Sequence, residues 1–119
     1  MIEHESQIDP DTYIAAVLKM YLELPETPSR AGPNDRKTAI ELYRRRITLF
    51  TIEGAMLLAS LRRLGRPVDY PRLTPIRSLA YFKSTVEELL VQPIPDDYLG
   101  YLRRKVRVLG GEKRVRKCG

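Results

Sequence analysis

The chain has few of the residues on which protein chemistry most often depends. It contains one histidine, His4, one cysteine, Cys118, and no tryptophan. A single cysteine cannot form an intramolecular disulfide, and without a second histidine or a Cys-x-x-Cys pair there is no recognisable zinc or transition-metal site. His4 lies in a terminus that we expect to fray, and Cys118 has no partner histidine near it in the sequence. We therefore expect no metal site, no cofactor and no enzymatic activity.

Long hydrophobic runs are also missing. The longest uncharged stretch, Gly54 to Leu61, has 8 residues, whereas a helix needs about 20 apolar residues to cross a bilayer. The first residues, MIEHESQIDP, are acidic where a secretory leader would be basic. These absences, together with the single cysteine, predict a cytoplasmic protein with no membrane partner.

What the chain does have is positive charge and enough apolar residues for one domain. Its 119 residues are 43% hydrophobic, which suits one domain with a modest core, and the net charge is +6. Residues 1–35 hold seven acids and two basic residues, a net of −5, so residues 36–119 carry +11. This division fits a surface that binds polyanions, and it fits an internal interface between acidic and basic side chains equally well.

Apolar residues at three- and four-residue spacing predict about five helices. Prolines, glycines and capping residues, among them Asp9 and Thr48, place their limits at 10–24, about 33–45, Thr48 to Gly65, Thr74 to Pro93, and about Pro95 to Gly110. In the fifth helix the spacing predicts one docking face formed by Tyr98, Leu102, Val106 and Leu109. The third helix is apolar on nearly every side, which is typical of a central helix covered by its neighbours. The sequence therefore predicts an all-α fold, a single compact bundle over residues 1–111, followed by a flexible basic tail at residues 112–119.

The segment ELYRRRITLFTIEGAMLLASLRRLGRP, residues 41–67, allows two interpretations. Two helices with a short link have the spacing of a helix-turn-helix, whose second helix presents polar side chains to DNA bases. The third helix instead begins with Leu49, Phe50 and, soon after, Glu53. Base recognition favours Arg, Lys, Asn and Gln, and a glutamate repels phosphates. The sequence therefore favours a core helix over a DNA-reading helix.

Basic residues cluster at the ends of the second and third helices and in the C-terminal segment YLRRKVRVLGGEKRVRKCG. Helix-dipole complementation and a solvated tail explain part of this pattern. Arginines at two helix ends exceed what the dipole requires, however, and arginine suits bidentate contacts with phosphate. The candidate nucleic-acid-binding residues are Arg44, Arg45, Arg46, Arg62, Arg63, Arg66, Arg103, Arg104, Lys105, Arg107, Lys113, Arg114, Arg116 and Lys117.

Two tyrosines are candidates for base stacking: Tyr70, between prolines, and Tyr101, within the basic fifth helix. The leading hypothesis is a small basic nucleic-acid-binding or accessory protein that contacts phosphates mainly through electrostatic attraction, with DNA favoured over RNA. The alternative is a helical protein–protein interaction or dimerisation module that does not bind nucleic acid. The first hypothesis depends on positive side chains gathering on one outer surface, free of internal carboxylates.

Three stretches carry a resemblance to known proteins: LPETPSRAGPNDRKTAIELYRRRITLFTIEGAMLLASLRRL, LTPIRSLAYFKSTVEELL and DYLGYLRRKV. Over about residues 12–106 the chain resembles small, largely uncharacterised, all-helical bacterial proteins associated with mobile genetic elements, and helical parts of replication-initiator-like proteins. PIRSLAYF is the most distinctive part of this resemblance. It implies a DNA-related function in bacteria and carries no catalytic motif. The chain lacks the winged-helix segment with which a complete replication initiator binds its origin.

Overall fold

The fold is known from a computed structural model that describes residues 8–67, 69–71 and 73–110. In these ranges the chain forms five α-helices and one 3-10 turn, Leu79–Phe82, and no strand. The helices are α1 (Pro10–Leu22), α2 (Pro33–Arg44), α3 (Leu49–Leu64), α4 (Lys83–Val91) and α5 (Tyr98–Gly110). The all-α bundle predicted from the sequence is confirmed. The predicted basic tail, residues 112–119, lies outside the described residues.

Side chains cap the first turns of the first three helices. The Asp9 carboxylate accepts a hydrogen bond from the Thr12 amide at 3.3 Å, and Pro10 begins α1. The Thr48 hydroxyl accepts one from the amide of Thr51 at 3.1 Å at the start of α3. In α2 the direction is reversed, because the carboxylate of Asp35 inside the helix accepts from the amide of Gly32 at 2.9 Å. The caps predicted at positions 9 and 48 are confirmed.

The third helix lies at the centre of the bundle. α1, α4, α5 and the 3-10 turn all pack against α3. Of its 16 residues only Arg62 is exposed. The interpretation of α3 as a core helix is confirmed, and a helix covered on this scale has no free face to place in a groove of DNA.

The prediction that the fourth helix begins at Thr74 is wrong. Regular structure begins only after Ser78, whose hydroxyl caps the 3-10 turn that leads into α4. The segment before the turn is held by distant partners instead. The amide of Ile76 donates to the carbonyl of Glu26 at 2.9 Å, and the first amide of the turn donates to the Asp35 carboxylate at 2.9 Å. By local preference alone, the Thr-Pro pair at positions 74 and 75 favours the start of a helix. The long-range bonds override this preference and hold the backbone extended.

The docking face of α5 is centred one position away from the predicted one. Leu102 and Val106 are buried as predicted, and Leu99 completes the buried face. Tyr98 and Leu109, which the sequence placed on this face, are 38% and 47% exposed. The prediction is therefore wrong at these two positions, because the apolar residues at 98 and 99 allow two helix orientations that differ by one residue.

Two glycines allow close approach to α3 and α5. A Cβ atom on Gly54 would lie 2.9 Å from Cδ1 of Ile94, in the link between α4 and α5. A Cβ atom on Gly110 would overlap the ring of Pro25, after α1. Side chains at these positions would push the link and the end of α5 away from the bundle.

The core contains a buried tyrosine hydroxyl that has no hydrogen-bond partner among the described residues, that of Tyr21. Burial and, to a smaller extent, the negative charge of Asp35 raise the pKa of Tyr21 to about 12. The buried hydroxyl of Tyr13, by contrast, donates to the backbone carbonyl of Ile47. A hydrogen bond therefore offsets the cost of burying the hydroxyl group of Tyr13, whereas no such bond offsets it for Tyr21 in the described part of the chain.

The first prediction concerns Asp35, which is 4% exposed and joins the start of α2 to the 3-10 turn. Asp35→Asn keeps the size of the side chain but turns one accepting oxygen into a donor that faces an amide N–H. We expect the free energy of unfolding to fall by about 1–3 kcal/mol in urea denaturation. The matched change at an exposed carboxylate, Asp96→Asn, should shift it by less than about 0.5 kcal/mol. Equal stability of the two variants would contradict the proposed role of Asp35.

The second prediction compares two tyrosine variants. Tyr13→Phe loses a buried hydrogen bond and should lower the free energy of unfolding by about 1 kcal/mol, whereas Tyr21→Phe should leave it unchanged or raise it. Because the pKa of Tyr21 lies near 12 in the folded protein and near 10.0 in the unfolded chain, the parent should lose stability as the pH rises between these values. Tyr21→Phe should lose less over this interval. An identical alkaline loss in the parent and Tyr21→Phe would show that Tyr21 does not cause it.

Candidate nucleic-acid interface

The arginines at the ends of α2 and α3 meet two neighbouring glutamates of α4. Both Nη atoms of Arg45 donate to the carboxylate of Glu87. Nη1 of Arg62 donates to Oε1 of Glu88 at 2.8 Å. The hydrogen bonds from Arg45 hold the pKa of Glu87 below its ordinary value. Adjacent carboxylates on α4 therefore join that helix to α2 on one side and to α3 on the other.

Arg63 is a structural arginine. Its side chain is 7% exposed, and its Nη2 donates to Oε1 of Glu26 at 2.6 Å and to the carbonyl of Thr74 at 2.8 Å. Its Nη1 donates to the hydroxyl of Tyr81 at 3.3 Å. These bonds join the end of α3 to the loop after α1, to the extended segment and to the 3-10 turn. A phosphate would have to displace them to reach this guanidinium.

Another paired arginine, Arg103, is on α5. Nε and Nη2 of Arg103 donate to the two carboxylate oxygens of Glu53 at 2.7 and 2.9 Å. This bidentate contact fixes α5 against the first turns of α3. Arg66 has a different environment: it donates to the carbonyl of Pro71 at 3.3 Å and lies 5.2 Å from the ring centroid of Tyr70.

Carboxylates therefore compensate at least four of the ten candidate cations that the structure describes: positions 45, 62, 63 and 103. Arg107 is exposed on α5. Within the described ranges no ion pair involves Arg44, Arg46, Arg66, Arg104 or Lys105. The candidates Lys113, Arg114, Arg116 and Lys117 lie outside the described residues.

The outer face of α5 combines aromatic rings with cations. It consists of Tyr98, Tyr101, Arg104, Lys105 and Val108, which follow one another at three- and four-residue spacing and are all exposed. The two tyrosine rings stack on each other, with centroids 5.2 Å apart and planes inclined by 26°. Both rings remain open to solvent, at 38% and 40% exposure.

The position of Arg104 adds charge close to this pair. Its Nη1 lies 3.8 Å from the place that a Cβ atom on Gly100 would occupy. The side chain therefore runs back along α5 toward the tyrosines, over a residue that has no side chain of its own. Because Arg104 and Lys105 have no ion-pair partner within the described residues, their charge is available to an anion at this face.

Sequence reasoning identified part of this face. The sequence predicts base stacking for Tyr101 and phosphate contact for Arg104 and Lys105. Tyr98 was missed because its spacing from Leu102 placed it on the docking face. Two tyrosines three residues apart on a basic helix are the sequence pattern that points to the pair, since such residues are neighbours on a helix surface.

The described residues contain no group of three or more side chains suited to holding a metal ion. None of their helices has the length and apolar character needed to span a bilayer. Comparisons with known protein families, with curated proteins and with solved structures found no match. The resemblance described above thus rests on the residues of the chain alone and stays a prediction.

The third prediction separates a structural arginine from a surface arginine. Arg63→Lys replaces a fork that makes several hydrogen bonds with a single ammonium group, so the free energy of unfolding should fall by about 1–3 kcal/mol in urea denaturation. Arg62→Lys changes a side chain that is 54% exposed and should cost less than about 0.5 kcal/mol. A loss at Arg62→Lys as large as that at Arg63→Lys would refute the structural assignment of Arg63.

Proposed function

We propose that the protein binds single-stranded nucleic acid, with DNA preferred to RNA, through the outer face of α5 and the basic residues that follow it. The observation that carries this proposal is the exposed, stacked pair of Tyr98 and Tyr101. It lies on the same helix face as Arg104 and Lys105, for which no carboxylate partner is present among the described residues.

The aromatic pair favours a single strand over a duplex. Bases in a duplex are stacked on each other and present only their edges, whereas unpaired bases can stack on aromatic side chains. A solvent-exposed ring pair on a convex helix suits such stacking, and it selects little by sequence because every base has a flat face. The third helix is buried and contributes no reading surface of its own.

The cations supply the electrostatic part of the interaction. Arg104 and Lys105 would neutralise phosphates on either side of the stacked bases, and the basic residues of positions 113–117 follow directly in the sequence. The contact between Arg103 and Glu53 helps to hold α5 on the bundle. The outer face of α5 therefore has a fixed orientation toward solvent. The resemblance to proteins of mobile genetic elements favours DNA as the strand.

The fourth prediction tests this face by fluorescence anisotropy with a labelled single-stranded oligonucleotide at two or more salt concentrations. Tyr101→Ala removes a stacking ring and should weaken binding by about 1–3 kcal/mol with little change in salt dependence. Arg104→Gln combined with Lys105→Gln removes two charges, so the slope of log affinity against log salt should become shallower by about 1.4.

Matched controls lie elsewhere on the surface. Arg30→Gln with Lys37→Gln removes two other exposed cations and should leave binding close to that of the parent. Affinity that stays flat between low and moderate salt would refute the electrostatic mechanism. Equal effects of the control and α5 variants would refute the assignment to this face.

A helical protein–protein interaction or dimerisation module is the second candidate function. It is favoured by apolar side chains that remain in solvent, above all Val91 at 86% exposure and Val108 at 76%. Light scattering of the protein with and without the oligonucleotide distinguishes the candidates. A self-associating protein that is indifferent to nucleic acid would favour this second function over the first.

A further inference from the structure

A cleft of about 310 Å³ opens between the last turns of α3 and the first turn of α4. Arg62, Arg63 and Arg66 line one side, and Tyr81, Ser84 and Thr85 line the other, with apolar contributions from positions 59 and 73. No aspartate or glutamate is among the described residues of this lining. The described lining of the cleft therefore presents guanidinium and hydroxyl groups, which are hydrogen-bond donors.

The charge of the cleft is only partly compensated. Arg66 has no carboxylate partner in the described part of the chain; its contacts are the Pro71 carbonyl and the Tyr70 ring. Arg62 pairs with Glu88, but both side chains are about half exposed, at 54% and 49%. An exposed pair of this kind is weak and exchanges readily with other partners. Two guanidinium groups can therefore turn toward an anion.

The opposite wall adds residues with hydroxyl groups. Tyr81, Ser84 and Thr85 are three and four residues apart and face the same side. The hydroxyl oxygen of Tyr81 already accepts a hydrogen bond from Arg63 at 3.3 Å, so its own proton points elsewhere and can be donated. Arg63 itself is fully engaged and acts here by holding Tyr81.

We infer that this cleft binds a phosphate monoester. The terminal oxygens of the phosphate accept hydrogen bonds from Arg62, from Arg66 and from the hydroxyl groups of the opposite wall. A monoester carries close to two negative charges near neutral pH, whereas an internal phosphate of a nucleic acid carries one. The Tyr81 ring and Leu73 can contact the group attached to the phosphate. The volume is near the lower limit for small-molecule sites, which suits a mononucleotide or the terminal nucleotide of a strand.

This site does not depend on the function proposed for α5, because the two sites have no residue in common. Two kinds of ligand carry a phosphate monoester: a free nucleotide and the phosphorylated end of a nucleic acid. The probes are inorganic phosphate, adenosine 5′-monophosphate, and one oligonucleotide with and without a 5′-phosphate.

The fifth prediction uses calorimetric titration of the full chain, with amide chemical shifts to locate the ligand. Adenosine 5′-monophosphate should bind and shift the amides of positions 59–66 and 81–85. Arg66→Gln and Ser84→Glu, the latter placing a carboxylate in the cleft at an exposed position, should each weaken binding by about tenfold or more. Arg30→Gln removes an exposed arginine outside the cleft and should change the affinity by less than about twofold.

The outcomes separate the sources and the two sites. If the mononucleotide binds the parent and Ser84→Glu weakens that binding, the ligand is a free nucleotide. If only the 5′-phosphorylated oligonucleotide shows this sensitivity, the ligand is a strand terminus. Binding of the unphosphorylated oligonucleotide should persist in Ser84→Glu, because that binding belongs to α5. No binding of either phosphorylated probe at millimolar concentration, or equal losses in Arg30→Gln and Arg66→Gln, would overturn the inference.

Discussion

The central position of α3 determines where charge can lie in this bundle. Its middle is covered by other elements, and Arg62 is its one exposed residue, so charged side chains fit only at its two ends. At the start of the helix Glu53 meets Arg103 of α5; at the end Arg62 meets α4, and Arg63 meets the loop after α1. Apolar packing along the length of α3 therefore holds the surrounding elements on the core helix, and the ion pairs at its two ends add to this mainly where Arg63 is buried.

This arrangement divides the arginines by the partners that the fold gives them. Where a carboxylate lies across a helix contact, as for Arg45 and Arg103, the guanidinium fork is satisfied twice and supports the packing. Where the helix faces solvent, as at Arg104, no such partner is within reach in the described chain. Net charge alone thus overstates the surface available to a polyanion. After the compensated cations are set aside, the outer face of α5 is the place where uncompensated cations lie beside exposed aromatic rings.

Local preferences predicted much of the fold and only part of the site. The caps at Asp9 and Thr48 and the central place of α3 follow from neighbouring residues, so the sequence revealed them. The helix start at Thr74 failed because Asp35, far away in the chain, fixes the backbone near the 3-10 turn. The turn before α3 contains no glycine, yet Arg46 adopts the left-handed conformation there, with a φ of 59°. The pairing of each arginine depends on tertiary contacts that sequence spacing does not encode.

The two proposed sites use the same chemical groups in different surroundings, and this difference sets what each can recognise. On α5 the cations and rings lie on a convex face, where water and salt compete with every contact, so such a face binds extended chains with little selectivity. In the cleft the donors converge from two walls, and a firmly held Arg63 orients Tyr81. Convergent donors bind an anion with several free oxygens more tightly than an anion that carries fewer. Selectivity in this protein should therefore increase with the concavity of the surface, because the described part of each site offers two cations to an anion: Arg104 and Lys105 on α5, and Arg62 and Arg66 in the cleft.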